Sequence, residues 1–237
     1  TVMAQLTGEQ RKLYLANQDR IAQQVQHREA GEFKKDKLKV LAELTKLRQI
    51  CCDPRLHYED YKAGSAKLDT CMELVHGALD GGHRILLFSQ FTGMLDIIGK
   101  RLAKEDIAFL KLTGASSKES RAKMVAQFQA GEVPVFLISL KAGGVGLNLT
   151  AADVVIHYDP WWNVAAQDQA TDRAHRIGQQ HTVTVYKLIA KDTIEERIMQ
   201  MQESKRDLVN SVLGGDGISS ALFTREDVLA LLGGDGR

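Results

Sequence analysis

The sequence has little of what stabilises small secreted proteins or anchors membrane proteins. Its 237 residues include three prolines and three cysteines, Cys51, Cys52 and Cys71. An odd number of cysteines, two of them adjacent, fits neither a disulfide framework nor a zinc site, so we expect buried thiols in a reducing, intracellular compartment. No apolar run is long enough to cross a bilayer and no signal peptide is recognisable, which predicts a cytoplasmic protein without a membrane partner.

The sequence also lacks two short nucleotide-binding motifs, and neither positive nor negative charge predominates. The chain has no Gly-x-x-x-x-Gly-Lys-Ser/Thr loop, whose backbone cradles nucleotide phosphates, and no Asp-Glu dipeptide. Its 31 basic and 30 acidic residues leave a net charge of +1. Binding to nucleic acid therefore requires a local basic surface, because the chain as a whole has no basic signature.

Hydrophobic periodicity divides the chain into three predicted regions. Residues 1–80 carry helical patterns, residues 81–190 alternate short apolar runs with helical segments, and residues 191–237 are helical again. Apolar runs such as 85–88, 133–140 and 154–157 are typical of strands buried on both faces. Strands alternating with helices predict an α/β fold with a doubly wound parallel sheet.

Helix ends are predicted from capping patterns. Thr7 followed by Gln10, and Thr224 followed by Asp227, have capping-box spacing. Asp192 with Glu195 three residues later predicts the start of a long helix that extends to about residue 213.

The carboxyl ends of the predicted strands carry polar and glycine-rich segments. Ligands of open α/β sheets collect beyond these ends. The segments are Ser89–Phe91, Thr113–Gly114, Lys141–Asn148 and Asp159–Asn163. Gly143, Gly144 and Gly146 permit backbone N–H groups to face an anion, although a tight turn without a ligand explains them equally well. A dinucleotide site is a weak alternative, because the third glycine of that fingerprint is missing.

Aromatic and basic side chains complete this edge. Trp161 and Trp162 are suited to stacking on bases or sugars, or to packing within the protein. Arg173 and Arg176 are three residues apart in a segment with helical spacing, so both face one side and suit charge on a transferring phosphoryl group. The alternative for the arginines is surface ion pairing with Asp168 and Asp172. No metal-ligand set is recognisable in the sequence.

Five motifs in order resemble the Swi/Snf-type ATPases, the DNA-translocating branch of helicase superfamily two. They are Leu87–Phe91, Leu112–Gly114, Gly143–Thr150, Asp159–Asn163 and Gln169–Gln179. Leu47–Cys51 and Asp192–Glu196 resemble the family's helical segment and the start of its brace helix. The resemblance covers nearly the whole chain and is greatest to bacterial and archaeal members. Val164 departs from the proline that many members have there, which affects turn rigidity and not chemistry.

The resemblance implies a RecA-like C-terminal lobe with an N-terminal helical insertion and a C-terminal brace helix. ATP and Mg²⁺ are then bound mainly by an N-terminal lobe of the same polypeptide, which carries the phosphate loop and the Asp-Glu box. Arg173 and Arg176 are implied as arginine fingers that complete the site when the lobes close. Gln169, Gly146 and Asn148 are implied near the nucleotide. This fragment alone is expected to be inactive as an ATPase.

Duplex DNA is the second implied partner, bound through its backbone without sequence preference and, in a bacterial cell, in the nucleoid. The implied DNA-binding residues are Ser89, Gln90, Thr113, Gly114, Lys141, Gly143, Gly144 and Trp162. Two alternatives remain at this point: a non-catalytic RecA-like module that binds nucleic acid or protein, and a Rossmann-type cofactor enzyme.

Overall fold

A computed structural model of the chain describes residues 1–27, 30–143, 147–161, 164–175, 182–204 and 224–233. The chain divides into two compact units, each built from two segments. The sheet unit comprises residues 1–2 and 68–189, and the helical unit comprises residues 3–67 and 190–237. None of the described helices has the length and apolar character needed to cross a membrane.

The described strands form one six-stranded sheet in the order β1-β6-β5-β2-β4-β3. Their bounds are β1 (Val2–Gln5), β2 (Ile85–Ser89), β3 (Phe109–Leu112), β4 (Val135–Ser139), β5 (Val154–His157) and β6 (Thr184–Lys191). The four pairings among β2 to β6 are all parallel. This confirms the predicted α/β fold, whereas β1 was not expected from the sequence pattern.

Helices alternate with strands β2 to β6 as predicted. Their bounds are α1 (Gly8–Gln26), α2 (Ala30–Cys52), α3 (Ala66–Asp80), α4 (Thr92–Lys104), α5 (Lys118–Ala130), α6 (Leu140–Gly143), α7 (Val164–Thr171), α8 (Ile194–Ser204) and α9 (Arg225–Leu231). The short helix α6 was not expected, because its residues were predicted as a strand end and a glycine-rich turn.

The core of the sheet unit lies around its central strands. Every residue of β2, β4 and β5 is buried, because these apolar runs are covered on both faces of the sheet. The Phe128 ring of α5 packs on Phe136 of β4, with 5.4 Å between ring centroids. Gly99 of α4 allows close approach of Phe109, since an added Cβ at Gly99 would lie 3.0 Å from the Phe109 ring.

One of the two predicted capping boxes is wrong. Thr7 is at the N-cap position of α1 but its side chain makes no capping bond. Gln10 instead donates to the carbonyl of Ile50 at 3.0 Å and accepts from the amide of Ala66 at 3.1 Å. A glutamine within reach of two buried backbone groups satisfies them rather than its own helix end. The box of Thr224 and Asp227 at α9 is confirmed.

The start of α8 also differs from the prediction that Asp192 caps it. Asp192 has a left-handed φ of 57°, and Thr193 precedes the helix, with its hydroxyl oxygen accepting from the amide of Glu195 at 3.2 Å. The Glu195 carboxylate accepts from Lys67 Nζ at 2.8 Å and from the amide of Ala190. Both side chains of the Lys67–Glu195 pair are fully buried, so the carboxylate neutralises a buried ammonium instead of capping the helix. The predicted continuation beyond residue 204 lies outside the described residues.

Candidate functional site

The carboxyl ends of β2, β4 and β5 lie side by side in the sheet unit. Ser89 pairs with Ser139 in the parallel register of β2 and β4, and Phe88 pairs with His157 in that of β2 and β5. Polar residues that end adjacent parallel strands therefore meet at one edge, which is where open α/β sheets bind ligands.

The Asp159 carboxylate organises the turn after β2. Ser89 Oγ donates to Asp159 Oδ1, and the amide of Gln90 donates to Oδ2 at 3.2 Å. The amide of Phe91 in turn donates to Ser89 Oγ at 3.1 Å. Ser89 and Asp159 are both buried, while Gln90 is half-buried. Ser89 thus shapes the turn, and the half-buried Gln90 has its side-chain Nε2 buried as well.

Asp159 begins one of the five motifs, but no role was assigned to it from the sequence. Its sequence signal is an acidic residue just beyond a buried apolar strand. A carboxylate buried at such a place needs several donors, and the amide and hydroxyl of the neighbouring turn provide them.

The turn after β3 is tight and presents Gly114 to solvent. The amide of Thr113 donates to Ser116 Oγ at 3.2 Å, and the amide of Ser116 donates to the carbonyl of Thr113 at 3.1 Å. Thr113 is half-buried and Gly114 is exposed. Ser117 Oγ then accepts from the amide of Ser120 as the N-cap of α5. Both predicted contact residues of this segment therefore lie at or near the surface.

The segment that leads into the glycine loop is held by two contacts. The amide of Ala142 donates to Ser139 Oγ at 3.4 Å, and Arg121 Nη1 donates to the carbonyl of Ala142 at 3.3 Å. The basic Arg121 of α5 thereby contacts the protein backbone. Lys141 is exposed. Gly143 ends α6, and Gly144 and Gly146 lie outside the described residues.

The segment that leaves the glycine loop is attached to the arginine segment. The amide of Leu149 donates to the carbonyl of Arg173 at 3.0 Å. Gln129 of α5 holds the next residues, donating to Thr150 Oγ1 at 3.2 Å and accepting from the amide of Ala151 at 2.9 Å. Asn148, the residue before Leu149, is exposed. The backbone of Leu149, just after the glycines, is therefore hydrogen-bonded to the backbone of Arg173.

Some of the predicted aromatic and glutamine residues pack inside the protein, and others are exposed. Trp161 is half-buried and packs against the core of the sheet unit, and its amide donates to the Gln167 side-chain oxygen at 3.3 Å. Trp162 lies outside the described residues. Gln167 is buried and supports the turn, whereas Gln169, the predicted nucleotide contact, is exposed.

Arg173 lies in the turn that follows α7. Its side chain is buried in the sheet unit, with 4% of the residue exposed. That burial does not support the alternative of a surface ion pair with the exposed Asp168 and Asp172. Arg176 lies outside the described residues.

His157 contacts Thr171, two residues before Arg173, and was not among the site residues predicted from the sequence. It ends β5, is 1% exposed and stacks on Phe88 with 5.5 Å between ring centroids. Burial, followed by the nearby positive charge of Lys187, lowers the pKa of His157 to about 3. The imidazole is therefore neutral at physiological pH. Within the described ranges, no group of three or more His, Cys, Asp or Glu side chains is arranged to hold a metal ion.

Comparison with known proteins shows that the chain is similar to a family of helicase domains. Residues 66–178 match the family described as the helicase conserved C-terminal domain. An uncharacterised ATP-dependent helicase of Mycoplasma pneumoniae is 39% identical over 231 residues, which is 97% of this chain and 22% of that protein. The chain thus spans about a fifth of the length of the curated relatives it matches.

Solved structures are similar over almost the whole chain. The SWI2/SNF2 ATPase core of Sulfolobus solfataricus in complex with double-stranded DNA has a TM-score of 0.80 and 35% identity, covering 97% of this chain and 48% of that one. The C-terminal domain of a SWI2/SNF2 ATPase from the same organism has a TM-score of 0.78 and 32% identity, covering 97% and 95%.

Proposed function

The chain belongs to the Swi/Snf-type ATPases of helicase superfamily two, as their C-terminal RecA-like lobe, and we propose that it forms the second half of an ATP-driven motor that moves along double-stranded DNA. The observation that carries this proposal is the 3.0 Å hydrogen bond from the Leu149 amide to the Arg173 carbonyl. It joins the glycine loop, which we assign to DNA and nucleotide, to the arginine segment, which we assign to ATP.

On the ATP side, Arg173 and Arg176 act as arginine fingers when the two lobes close. A guanidinium at the transferring phosphoryl group stabilises charge in the transition state and is worth roughly 10³ to 10⁵ in rate. Arg173 is buried here, so its guanidinium must turn outward on closure, while Arg176 completes the pair. Gln169 and Asn148, both exposed, and Gly146 lie near the nucleotide in this assignment.

On the DNA side, the phosphate backbone of the duplex lies along the carboxyl edge of the sheet. Gly114 and Lys141 are exposed there, which supports their contact with phosphates, and the half-buried Gln90 and Thr113 lie beside them in this assignment. Ser89 contributes through the turn it builds. Gly143, Gly144 and Trp162 complete the DNA-binding surface. The duplex in the related Sulfolobus core supports double-stranded DNA as the ligand, and phosphate contacts carry no sequence information.

The phosphate loop and the carboxylates that hold Mg²⁺ belong to an N-terminal lobe in this proposal. The lobe described here then supplies fingers and DNA contacts but performs no hydrolysis alone. ATP-dependent closing and opening of the two lobes advances the motor along one strand.

The decisive test is ATP hydrolysis by the two-lobed protein with and without duplex DNA. We expect Arg176→Ala to lower kcat by about three orders of magnitude or more, because a finger is removed, and to leave DNA affinity nearly unchanged. Arg20→Ala is the matched control, since Arg20 is a partly exposed partner of Glu43 in the helical unit. Lost DNA binding with normal turnover would contradict the role assigned to Arg176.

A second candidate is a RecA-like module that binds nucleic acid or protein without catalysis. The burial of Arg173 favours it, because a buried guanidinium is not presented to a nucleotide. This alternative predicts equal turnover for Arg176→Ala and the unmodified two-lobed protein, so the same assay separates the two functions.

A further inference from the structure

The His157 ring is hydrogen-bonded to the last residue of α7. His157 Nε2 lies 2.9 Å from Thr171 Oγ1, and Thr171 Oγ1 lies 3.3 Å from the carbonyl oxygen of Gln167. A carbonyl only accepts, so the threonine hydroxyl donates to Gln167 and accepts from His157. Nε2 therefore carries the proton. His157 of the sheet donates to Thr171, and Thr171 donates to Gln167 within the helix.

The other ring nitrogen agrees with this tautomer. His157 Nδ1 is buried, and no described atom forms a hydrogen bond with it. A proton on Nδ1 would be a buried donor without an acceptor, which is costlier than a bare lone pair. Burial lowers the pKa of His157 to about 3, so the neutral form with Nε2–H persists. The histidine is a fixed donor to Thr171.

The backbone of Thr171 begins the turn that contains Arg173. The carbonyl of Thr171 accepts from the amide of Ala174 at 3.1 Å and from that of His175 at 3.4 Å, which builds the turn containing Arg173. The Arg173 carbonyl is bound on its other side by the Leu149 amide. The backbone of Arg173 is thus held by the sheet through His157 and by the glycine loop through Leu149.

We propose that His157 and Thr171 are positioning residues for the arginine fingers, a role that rests on the proposed ATPase function. His157 is 1% exposed and Thr171 half-buried, and neither is assigned a contact with nucleotide or DNA. Their hydrogen bond fixes the end of α7 relative to β5, and the turn that follows carries Arg173. A misplacement of about 1 Å at a reacting group costs on the order of 10²-fold in rate.

The experiment compares variants that remove the hydrogen bond with variants that keep it, in the two-lobed protein. Thr171→Val removes the hydroxyl and Thr171→Ser retains it; His157→Phe removes the donor and keeps a ring on Phe88, while His157→Gln retains an N–H near Nε2. We expect Thr171→Val and His157→Phe each to lower kcat roughly ten- to hundredfold at unchanged KM for ATP and unchanged DNA affinity. Thr171→Ser and His157→Gln should restore most of kcat.

A double variant tests whether the two residues act as one unit. If they act through one hydrogen bond, Thr171→Val combined with His157→Phe should lower kcat no further than either alone. Full kcat in Thr171→Val beside an inactive Arg176→Ala would overturn the positioning role and leave the finger assignment intact. An active Arg176→Ala would instead overturn the proposed function. Parallel loss of kcat, DNA affinity and melting temperature would show a merely stabilising bond and also overturn the inference.

Discussion

At the scale of single residues, the site depends on buried polar groups that the motifs do not mark as functional. Asp159 and His157 contact turns and helices rather than a ligand. Each is buried at the end of a strand, where an unsatisfied polar group costs about 1 to 3 kcal/mol. Their hydrogen bonds therefore determine how the exposed residues of the site are presented.

The buried histidine predicts a pH dependence of stability. The pKa of His157 is lowered to about 3 in the folded protein, mainly by burial, while the unfolded chain titrates near 6.5. Between these values the unfolded state binds one more proton, so the His157 contribution to stability is present above pH 6.5 and is lost as the pH falls toward 3.

Replacement of this histidine tests that contribution. We expect His157→Gln to reduce the slope of unfolding free energy against pH between pH 6 and 4 by about 1.4 kcal/mol per pH unit, because a non-titrating side chain binds no extra proton on unfolding. Urea unfolding over this range measures the slope. His27→Gln, at an exposed position, is the control, and equal slopes in all three proteins would refute the prediction.

At the scale of elements, helix ends in the sheet unit are set by local contacts. Ser117 caps α5, and the helix stops at Gly131, whose φ of 82° places it in the left-handed region. An added Cβ there would also lie 2.0 Å from Nη2 of Arg84, whose guanidinium donates to the carbonyl of Phe128. The left-handed backbone therefore favours glycine at the end of α5, while the Arg84 guanidinium is the mobile end of a long side chain and can shift.

Gly131→Ala is expected to destabilise the protein by about 1 to 2 kcal/mol, because an L side chain is strained in the left-handed region. Gly77→Ala is the matched control. Gly77 lies within α3, and a Cβ there meets no other atom within 4 Å. Removing a helix glycine should stabilise by up to about 1 kcal/mol. Thermal unfolding should therefore show a lower melting temperature for Gly131→Ala and a higher one for Gly77→Ala. A change in the same direction for both variants would contradict this account.

The start of α8 shows how tertiary contacts override capping patterns. Tyr14 of α1 accepts from the amide of Ile194 at 2.7 Å, and the Glu195 carboxylate binds Lys67. Burial is the largest of the effects that raise the pKa of Tyr14 well above its usual value, so its hydroxyl stays protonated. The first turn of α8 is thus held by α1 and by Lys67 within the helical unit.

At the scale of the whole molecule, DNA binding should be electrostatic. With phosphate contacts as its basis, affinity falls steeply with salt, because bound cations are released from the duplex. Lys141 is exposed beside the glycine loop and is the cation of the proposed surface best placed to test this.

We expect Lys141→Ala in the two-lobed protein to weaken duplex binding equally for unrelated sequences. It should also reduce the slope of log affinity against log salt by about 1, since one phosphate contact is lost. Lys39→Ala is the control, because Lys39 pairs with Asp36 on α2 in the helical unit. Fluorescence anisotropy over a salt series measures the slope, and a loss confined to one DNA sequence would point to base contacts instead.

Much of the fold was accessible from the sequence because its signals are local. The buried apolar runs of β2, β4 and β5 predict central parallel strands, and strands alternating with helices predict the α/β class. The family motifs lie in order along the chain, so the sequence alone was enough to recognise them. Strand β1 has only four residues and no strong alternation, so its pairing in the sheet was not predictable.

What the sequence determined by itself is the class of fold, the family and the segments that meet at the carboxyl edge. Tertiary structure alone decided which side chains of those segments are presented and which are buried. Ser89 and Gln167 are buried, while Gln169 is exposed, although these residues have similar polarity. For Ser89 the reason is that Asp159 is distant in the sequence, so their hydrogen bond exists only once the sheet has formed. Gln167 is instead held by the backbone of nearby Trp161 in the folded turn before α7.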